Sequence, residues 1–276
     1  MKKKQNLSVI AYAFVFLVFL GIMDYPFIAR FVNERNVDGV ITEYENNAKT
    51  VTEEKRKKQL QEAFAYNQKL ANGIGGIKDT FYAENADENY LRLLNVQNDG
   101  IMGIVKIPKL NLQLPIYHGT KEEVLQKGVG HVEGSSLPIG GIDTHACLSG
   151  HRGLPNKKLF TNLDEMEIGD LFFIEIERET LAYRVDQILV EEPDNIEPLK
   201  IESGKDMVTL ITCTPYGINS HRMYVRGTRT TYDKQIKEEA DSYKREWLKD
   251  YWWIPLNVIL ILGMSYTLYQ YAKQQR

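Results

Sequence analysis

Two apolar segments without a charged residue, one at each end of the chain, constrain this sequence most. The first covers residues 7–23 and follows three lysines, and the second covers residues 252–272. At about 1.5 Å of rise per residue, both are candidates for helices that cross a bilayer. Aromatic residues cluster toward the ends of the second segment, as they do at membrane interfaces. The sequence therefore predicts a transmembrane helix at each end.

Charges that flank these segments predict the orientation of the chain. Lys2, Lys3 and Lys4 place the N-terminus in the cytoplasm, and two crossings return the C-terminus to the same side. A cleavable signal peptide is the competing interpretation of the first segment, but no clear small-x-small cleavage site follows it. We therefore expect an uncleaved anchor and a domain outside the cytoplasm, in contact with membrane lipid only through its two ends.

The composition excludes several classes of protein. Hydrophobic residues make up 43% and charged residues 26% of the 276 residues, which excludes wholesale disorder. The net charge of −3 provides no basic field for nucleic acid, so no nucleic-acid partner is expected. Two cysteines cannot form a disulfide scaffold or a four-thiolate zinc site, and the histidines lack ligand spacing, so no metal or other cofactor is expected.

Between the anchors, a helical pattern gives way to strands near residue 100. Residues 50–72 have a charged amphipathic pattern that Gly73 can end, residues 79–98 are polar and expected to be irregular, and residues 232–250 form a second charged helical stretch. Short apolar runs between turn residues then favour a mainly β fold, an antiparallel barrel or sandwich. The expected strands are 103–107, 112–117, 144–148, 171–176, 181–185, 207–212 and 221–226.

Three residues stand where strands end or begin. His151 comes just after a strand and lies between Gly150 and Gly153. Cys213 ends a β-branched strand, and Arg222 starts the next strand. Two adjacent strands joined by a loop would bring Arg222 back beside Cys213.

Each of these three residues alone has a simpler interpretation. A lone histidine is usually structural, a lone cysteine can be a buried thiol or a disulfide partner, and an arginine is commonly on the surface. Together they form a coherent acyl-transfer site, because a thiolate is a nucleophile, an imidazole moves protons and a guanidinium stabilises an oxyanion.

The sequence around these residues resembles the sortase family, and within it the class C, pilin-polymerising sortases of Gram-positive bacteria. The run Thr212-Cys213-Thr214-Pro215 with His221-Arg222 downstream is highly specific, and the resemblance extends over about residues 100–230. The matching stretches are 128–131, 134–141, 149–155 and 209–222.

This resemblance implies a fold, an activity and partners. The fold would be an eight-stranded sortase-type β-barrel with flanking helices, an N-terminal helical and lid region and a transmembrane helix at each end. The activity would be that of a cysteine transpeptidase with His151, Cys213 and Arg222 as its catalytic triad. Such enzymes cleave an LPxTG-like sorting signal between Thr and Gly, form a thioester on the cysteine and pass the pilin to a lysine amine of the next pilin.

Two alternatives to pilin polymerisation stay open at this point. One is a housekeeping-type sortase that attaches surface proteins to a cell-wall precursor, and the other is a non-catalytic pilus-assembly scaffold. The second membrane span and the Thr-Pro-Tyr-Gly sequence after Cys213 favour polymerisation.

Class C sortases often carry a lid with an Asp-Pro-aromatic motif, and Asp79-Thr80-Phe81 is the candidate here. Thr80 departs from the family's proline, which makes this loop less preordered. A polar linker is the alternative. Cys147 is interpreted as a buried strand thiol, because a disulfide to Cys213 would block the nucleophile.

The chain is accordingly divided into five regions. They are an N-terminal signal anchor (1–30), a helical region with the candidate lid (31–99), a catalytic barrel (100–231), a juxtamembrane helix (232–251) and a C-terminal transmembrane helix with its tail (252–276).

Overall fold

A computed structural model of the chain describes residues 2–77, 87–241 and 251–274. Its α-helices are α1 (Lys2–Thr50), α2 (Glu53–Ala71), α3 (Glu88–Arg92), α4 (Glu122–Leu125), α5 (Lys234–Asp241) and α6 (Trp253–Gln274). Its strands are β1 (Ile101–Ile107), β2 (Leu112–His118), β3 (Val129–His131), β4 (Thr144–Ser149), β5 (Leu171–Ile176), β6 (Glu179–Glu191), β7 (Asp206–Thr214) and β8 (His221–Thr230). Short 3-10 helices cover Pro108–Leu110, Leu163–Glu165 and Glu197–Leu199.

The eight strands form a closed barrel in the order β1-β2-β3-β4-β7-β8-β6-β5. This confirms the predicted eight-stranded barrel with flanking helices. The expectation of antiparallel pairing throughout is wrong, because β2 pairs with β3 and β4 pairs with β7 in parallel. The sequence does not predict strand β3, since three residues are too few to show an alternating pattern.

The helices also differ from the predicted ones in two places. The pattern over residues 50–72 belongs to two helices, because α1 ends at Thr50 and Thr52 caps α2 by accepting a hydrogen bond from the Lys55 amide. Residues 88–92 form α3 inside the segment expected to be irregular. The buried side chain of Tyr90, which bonds His131, holds this short helix in place, since five residues have little helical stability of their own.

Alternate residues of the strands fill the barrel interior. On β7 the inward side chains include Val208 and Leu210, and on β8 they include Val225. Ile211 lies on the outer face, in a second apolar cluster against which Cys213 also packs. Strand alternation therefore presents Cys213 on the outside of the barrel wall, at the end of β7.

One buried amide, the side chain of Asn67, anchors α2 to the segment between β3 and β4. Asn67 is 2% exposed. Its side chain donates to the carbonyl oxygen of Leu137 (3.0 Å) and accepts from the amide of the same residue (2.7 Å). The chain after α2 then passes so close to Gly134 that a Cβ there would lie 2.1 Å from the Gly76 carbonyl oxygen. Only glycine fits at this position, where φ is +87°.

The first part of α1 (residues 2–28) and helix α6 belong to a compact unit of their own, whereas the rest of α1 belongs to the unit that contains the barrel. The segment Ala11–Thr50 of α1 is long and apolar enough to cross a membrane. Among the described residues, no second helix meets that criterion. Within the terminal unit, the Asn257 side chain on α6 donates to the Asp24 carboxylate on α1 (3.0 Å), and the rings of Phe27 and Trp253 lie 5.8 Å apart.

We expect Asn67→Ala to lower the free energy of unfolding by about 2–4 kcal/mol, because two buried backbone groups lose their partners. Chemical denaturation of the detergent-solubilised chain measures this loss. Gln68→Ala, an exposed neighbour on the same helix, is the matched control and should change stability little. Equal effects of the two substitutions would contradict the anchoring role of Asn67.

Candidate functional site

The parallel register of β4 and β7 places His151 and Cys213 at the same position along the strand direction. Ser149 pairs with Ile211 at the end of the ladder. The pairing extends beyond it, because the Gly150 amide donates to the Ile211 carbonyl oxygen (2.9 Å). The Thr212 hydroxyl in turn donates to the Gly150 carbonyl oxygen (2.8 Å). Two residues beyond the Ser149–Ile211 pair, His151 lies just after the end of β4 and Cys213 lies on β7.

The antiparallel pairing of β7 with β8 brings in the third residue. Cys213 and Arg222 are direct cross-strand partners, and Thr214 pairs with His221. Side chains of such partners project to the same side of the sheet. Arg222 is only 7% exposed. The ends of three neighbouring strands therefore lie side by side and place His151, Cys213 and Arg222 next to one another in that order. The adjacency of Cys213 and Arg222 is the one that the sequence predicts.

Burial and charge act in opposite directions on the Cys213 thiol. Partial burial raises its pKa, and the nearby Arg222 guanidinium lowers it, with burial the larger effect. At neutral pH the thiol is therefore mostly protonated before a substrate arrives. A base that removes this proton is needed for nucleophilic attack.

His151 has a carboxylate neighbour. Its Nε2 lies 3.1 Å and 3.2 Å from the two carboxylate oxygens of Glu122, the first residue of α4. The hydrogen bond from Gln126 and the nearby His151 imidazole keep the pKa of Glu122 below its usual value, against the opposing effect of burial. Glu122 is thus an anion beside the imidazole. No motif in the sequence distinguished it from its neighbour Glu123.

Arg152 links the strand ends that carry His151 and Cys213. Its guanidinium donates to the Thr214 hydroxyl (3.2 Å) and to the Asp164 carboxylate (2.5 Å), and it lies 6.0 Å from the Tyr216 ring centroid. Its side chain is largely buried. The sequence places Arg152 in a motif next to His151, but its partner Asp164 lies 12 residues away and could be identified only from the structure.

Cys147 is a free, fully buried thiol, as predicted. Burial raises its pKa, so it is not a thiolate at neutral pH. Its register partner is Thr209, four residues before Cys213, which separates the two cysteines by about 13 Å along the sheet. A disulfide requires Cα atoms within about 7 Å, so these cysteines cannot pair.

The other histidines make structural hydrogen bonds. His131 contacts Tyr90 and the Ser136 carbonyl oxygen, and burial lowers its pKa to about 4. His145 contacts the Lys200 carbonyl oxygen and Thr209. Within the described ranges, no group of three or more His, Cys, Asp or Glu side chains is placed to hold a metal ion.

The candidate lid residues Asp79 and Phe81 lie outside the described residues. The described chain before them ends at Ile77, which packs against the same outer cluster as Cys213.

Comparisons with known proteins agree with this geometry. The family described as Sortase domain matches residues 105–230. A crystal structure of sortase C1 from Streptococcus agalactiae is 45% identical, with a TM-score of 0.65, over 70% of this chain and 99% of that one. The chain belongs to the sortase family.

Two further relatives locate this sortase within its family. A Streptococcus pneumoniae sortase C structure, described for its insights into catalysis and pilin substrate specificity, is 40% identical with a TM-score of 0.65, over 70% of this chain and 97% of that one. The resemblance to class C is thereby confirmed. Sortase D of Bacillus subtilis is 31% identical over 132 residues, which are 47% of this chain and 64% of that protein's length. This chain thus covers less than two thirds of that curated relative.

We expect Arg222→Ala to slow alkylation of Cys213 at pH 7 by about tenfold, because the thiol loses the positive charge that favours its thiolate. Iodoacetamide labelling followed by intact-protein mass spectrometry measures the rate, and buried Cys147 should stay unlabelled. Arg229→Ala, on the same strand but paired with Asp206, is the control. Equal labelling rates in the two variants would refute the electrostatic role of Arg222.

Proposed function

We propose that this sortase is a membrane-anchored cysteine transpeptidase that polymerises pilins. It cleaves an LPxTG-like sorting signal through a thioester on Cys213 and joins the pilin to a lysine amine of the next subunit. The observation that carries the proposal is the adjacency of His151, Cys213 and Arg222 at the ends of β4, β7 and β8. These three residues are the proposed catalytic residues.

In the first half-reaction, His151 takes the proton of the Cys213 thiol as the sulfur attacks the carbonyl carbon of the signal's threonine. A C–S bond forms, and Arg222 stabilises the negative charge that develops on the carbonyl oxygen. The C–N bond to glycine then breaks, and His151 gives its proton to the leaving amine. The product is a Cys213 thioester and a neutral imidazole.

In the second half-reaction, a neutral lysine amine attacks the thioester carbon. The C–N bond of an isopeptide forms and the C–S bond breaks. His151 accepts the proton of the attacking nitrogen and returns it to the Cys213 sulfur, which restores the starting enzyme.

Pilins as substrates, and two membrane crossings, are supported by separate observations. The pneumococcal sortase C, associated with pilin substrate specificity, is similar over most of both chains.

Apolar side chains of α6, among them Ile259 and Leu262, are more than 60% exposed, as expected for a helix that faces lipid. The contact of Asn257 with Asp24 pairs this helix with α1 inside the terminal unit.

We expect Cys213→Ala to abolish both the acyl-enzyme and high-mass pilin polymers, because no other described thiol is accessible. Cys147→Ala is the matched control and should retain both, since it removes only a buried packing group. Mass spectrometry of the enzyme with a sorting-signal peptide, and immunoblots of pilin polymers, provide the readouts. A pilin that lacks its acceptor lysine should be cleaved but not polymerised, and persistent polymerisation by the Cys213→Ala variant would refute the proposal.

We expect both chain ends to be cytoplasmic and the barrel to be outside. In a chain without its native cysteines, a membrane-impermeant maleimide should label Tyr232→Cys on intact cells. It should label Lys273→Cys only after the membrane is permeabilised, since two crossings return the C-terminus to the cytoplasm. Labelling of Lys273→Cys on intact cells would contradict the second crossing.

A further inference from the structure

We propose that Glu122 binds the ammonium group of the incoming acceptor lysine and delivers its amine to His151. This inference rests on the proposed transpeptidase function and concerns its second half-reaction. It assigns the acceptor side of the site, which neither the sequence motifs nor the proposed triad identifies.

Glu122 occupies a position suited to this role. Both of its oxygens lie within 3.2 Å of the His151 Nε2 atom, so a ligand of the carboxylate lies next to the proposed base. Its side chain is 68% exposed, whereas that of His151 is 21% exposed. A solute that approaches from bulk water therefore contacts Glu122 before it contacts His151.

The carboxylate also has unused hydrogen-bonding capacity. It accepts from His151 and from the Gln126 side chain (2.6 Å). Two carboxylate oxygens offer about four acceptor positions, and the exposure of the side chain leaves the remaining ones open to solvent. A lysine ammonium, with three N–H donors and a positive charge, matches them in number and in sign.

Other carboxylates near the site are engaged elsewhere. Asp164 pairs with the buried Arg152, and Glu192 pairs with His221, beyond Arg222 on the far side of Cys213. Glu122 alone of these three contacts His151. An amine docked on Glu122 thus approaches the thioester from the side of the base.

The protons balance in this scheme. The lysine ammonium docks on Glu122 and releases one proton to solvent, which leaves a neutral amine with a lone pair. The amine attacks the thioester carbon, and its second proton passes to His151 and then to the Cys213 sulfur. The glycine amine released in the first half-reaction takes up one proton from solvent, so the complete reaction neither gains nor loses a proton.

A comparison of two nucleophiles tests the proposal on the full chain in detergent. Acyl-enzyme made with a sorting-signal peptide is resolved either by a lysine-containing peptide, which is cationic at neutral pH, or by hydroxylamine, which is uncharged. We expect Glu122→Gln to lower the ratio of lysine to hydroxylamine turnover by about tenfold, through KM for the lysine peptide, because one charge-assisted hydrogen bond is lost.

Two further variants make the test specific. Glu123→Gln, the adjacent exposed acidic residue, should leave the ratio unchanged, and Glu122→Asp should give an intermediate ratio because it keeps the charge. A ratio unchanged by Glu122→Gln, or lowered equally by Glu123→Gln, would overturn the proposal. Failure of the proposed function is recognised separately, since the unmodified enzyme would then form no acyl-enzyme on Cys213.

Discussion

The site depends on the parallel pairing of β4 with β7. These strands are far apart in sequence, and the ladder from Thr144–Asp206 to Ser149–Ile211 fixes their register. A slip of one residue would reverse the face of every side chain on one strand. Closure of the barrel prevents such a slip, because each strand is also held by its other neighbour. The position of His151 relative to Cys213 is therefore a property of the whole barrel.

Interactions beyond the ladder extend this constraint to the strand ends. The Thr212 hydroxyl bonds the backbone before His151, and Arg152 bonds the hydroxyl after Cys213. These contacts cross between the two strands at the points where regular pairing stops. They hold the proposed base, on the loop after β4, beside the proposed nucleophile at the end of β7, without requiring either residue to be buried completely.

Predictions from the sequence were correct where a feature depends on a recognisable motif or on residues that are close together in the chain. The eight-stranded barrel was expected from the resemblance to sortases, and the pairing of Cys213 with Arg222 followed from a hairpin. Parallel pairing could not be predicted, because it depends on which distant strands become neighbours. Helix α3 and strand β3 are too short to leave a pattern, and tertiary contacts such as Tyr90 with His131 stabilise them. Glu122 carries no local signal, since only the fold brings it to His151.

The separation of the two cysteines has a consequence for oxidation. A thiol oxidised to sulfenic acid is commonly rescued by a second thiol that condenses with it to a disulfide. Cys147 is buried and about 13 Å from Cys213 along the sheet, so it cannot serve as that resolving partner. Recovery of an oxidised Cys213 must therefore come from a thiol outside this chain, and the redox state of its surroundings sets how long the proposed nucleophile stays reactive.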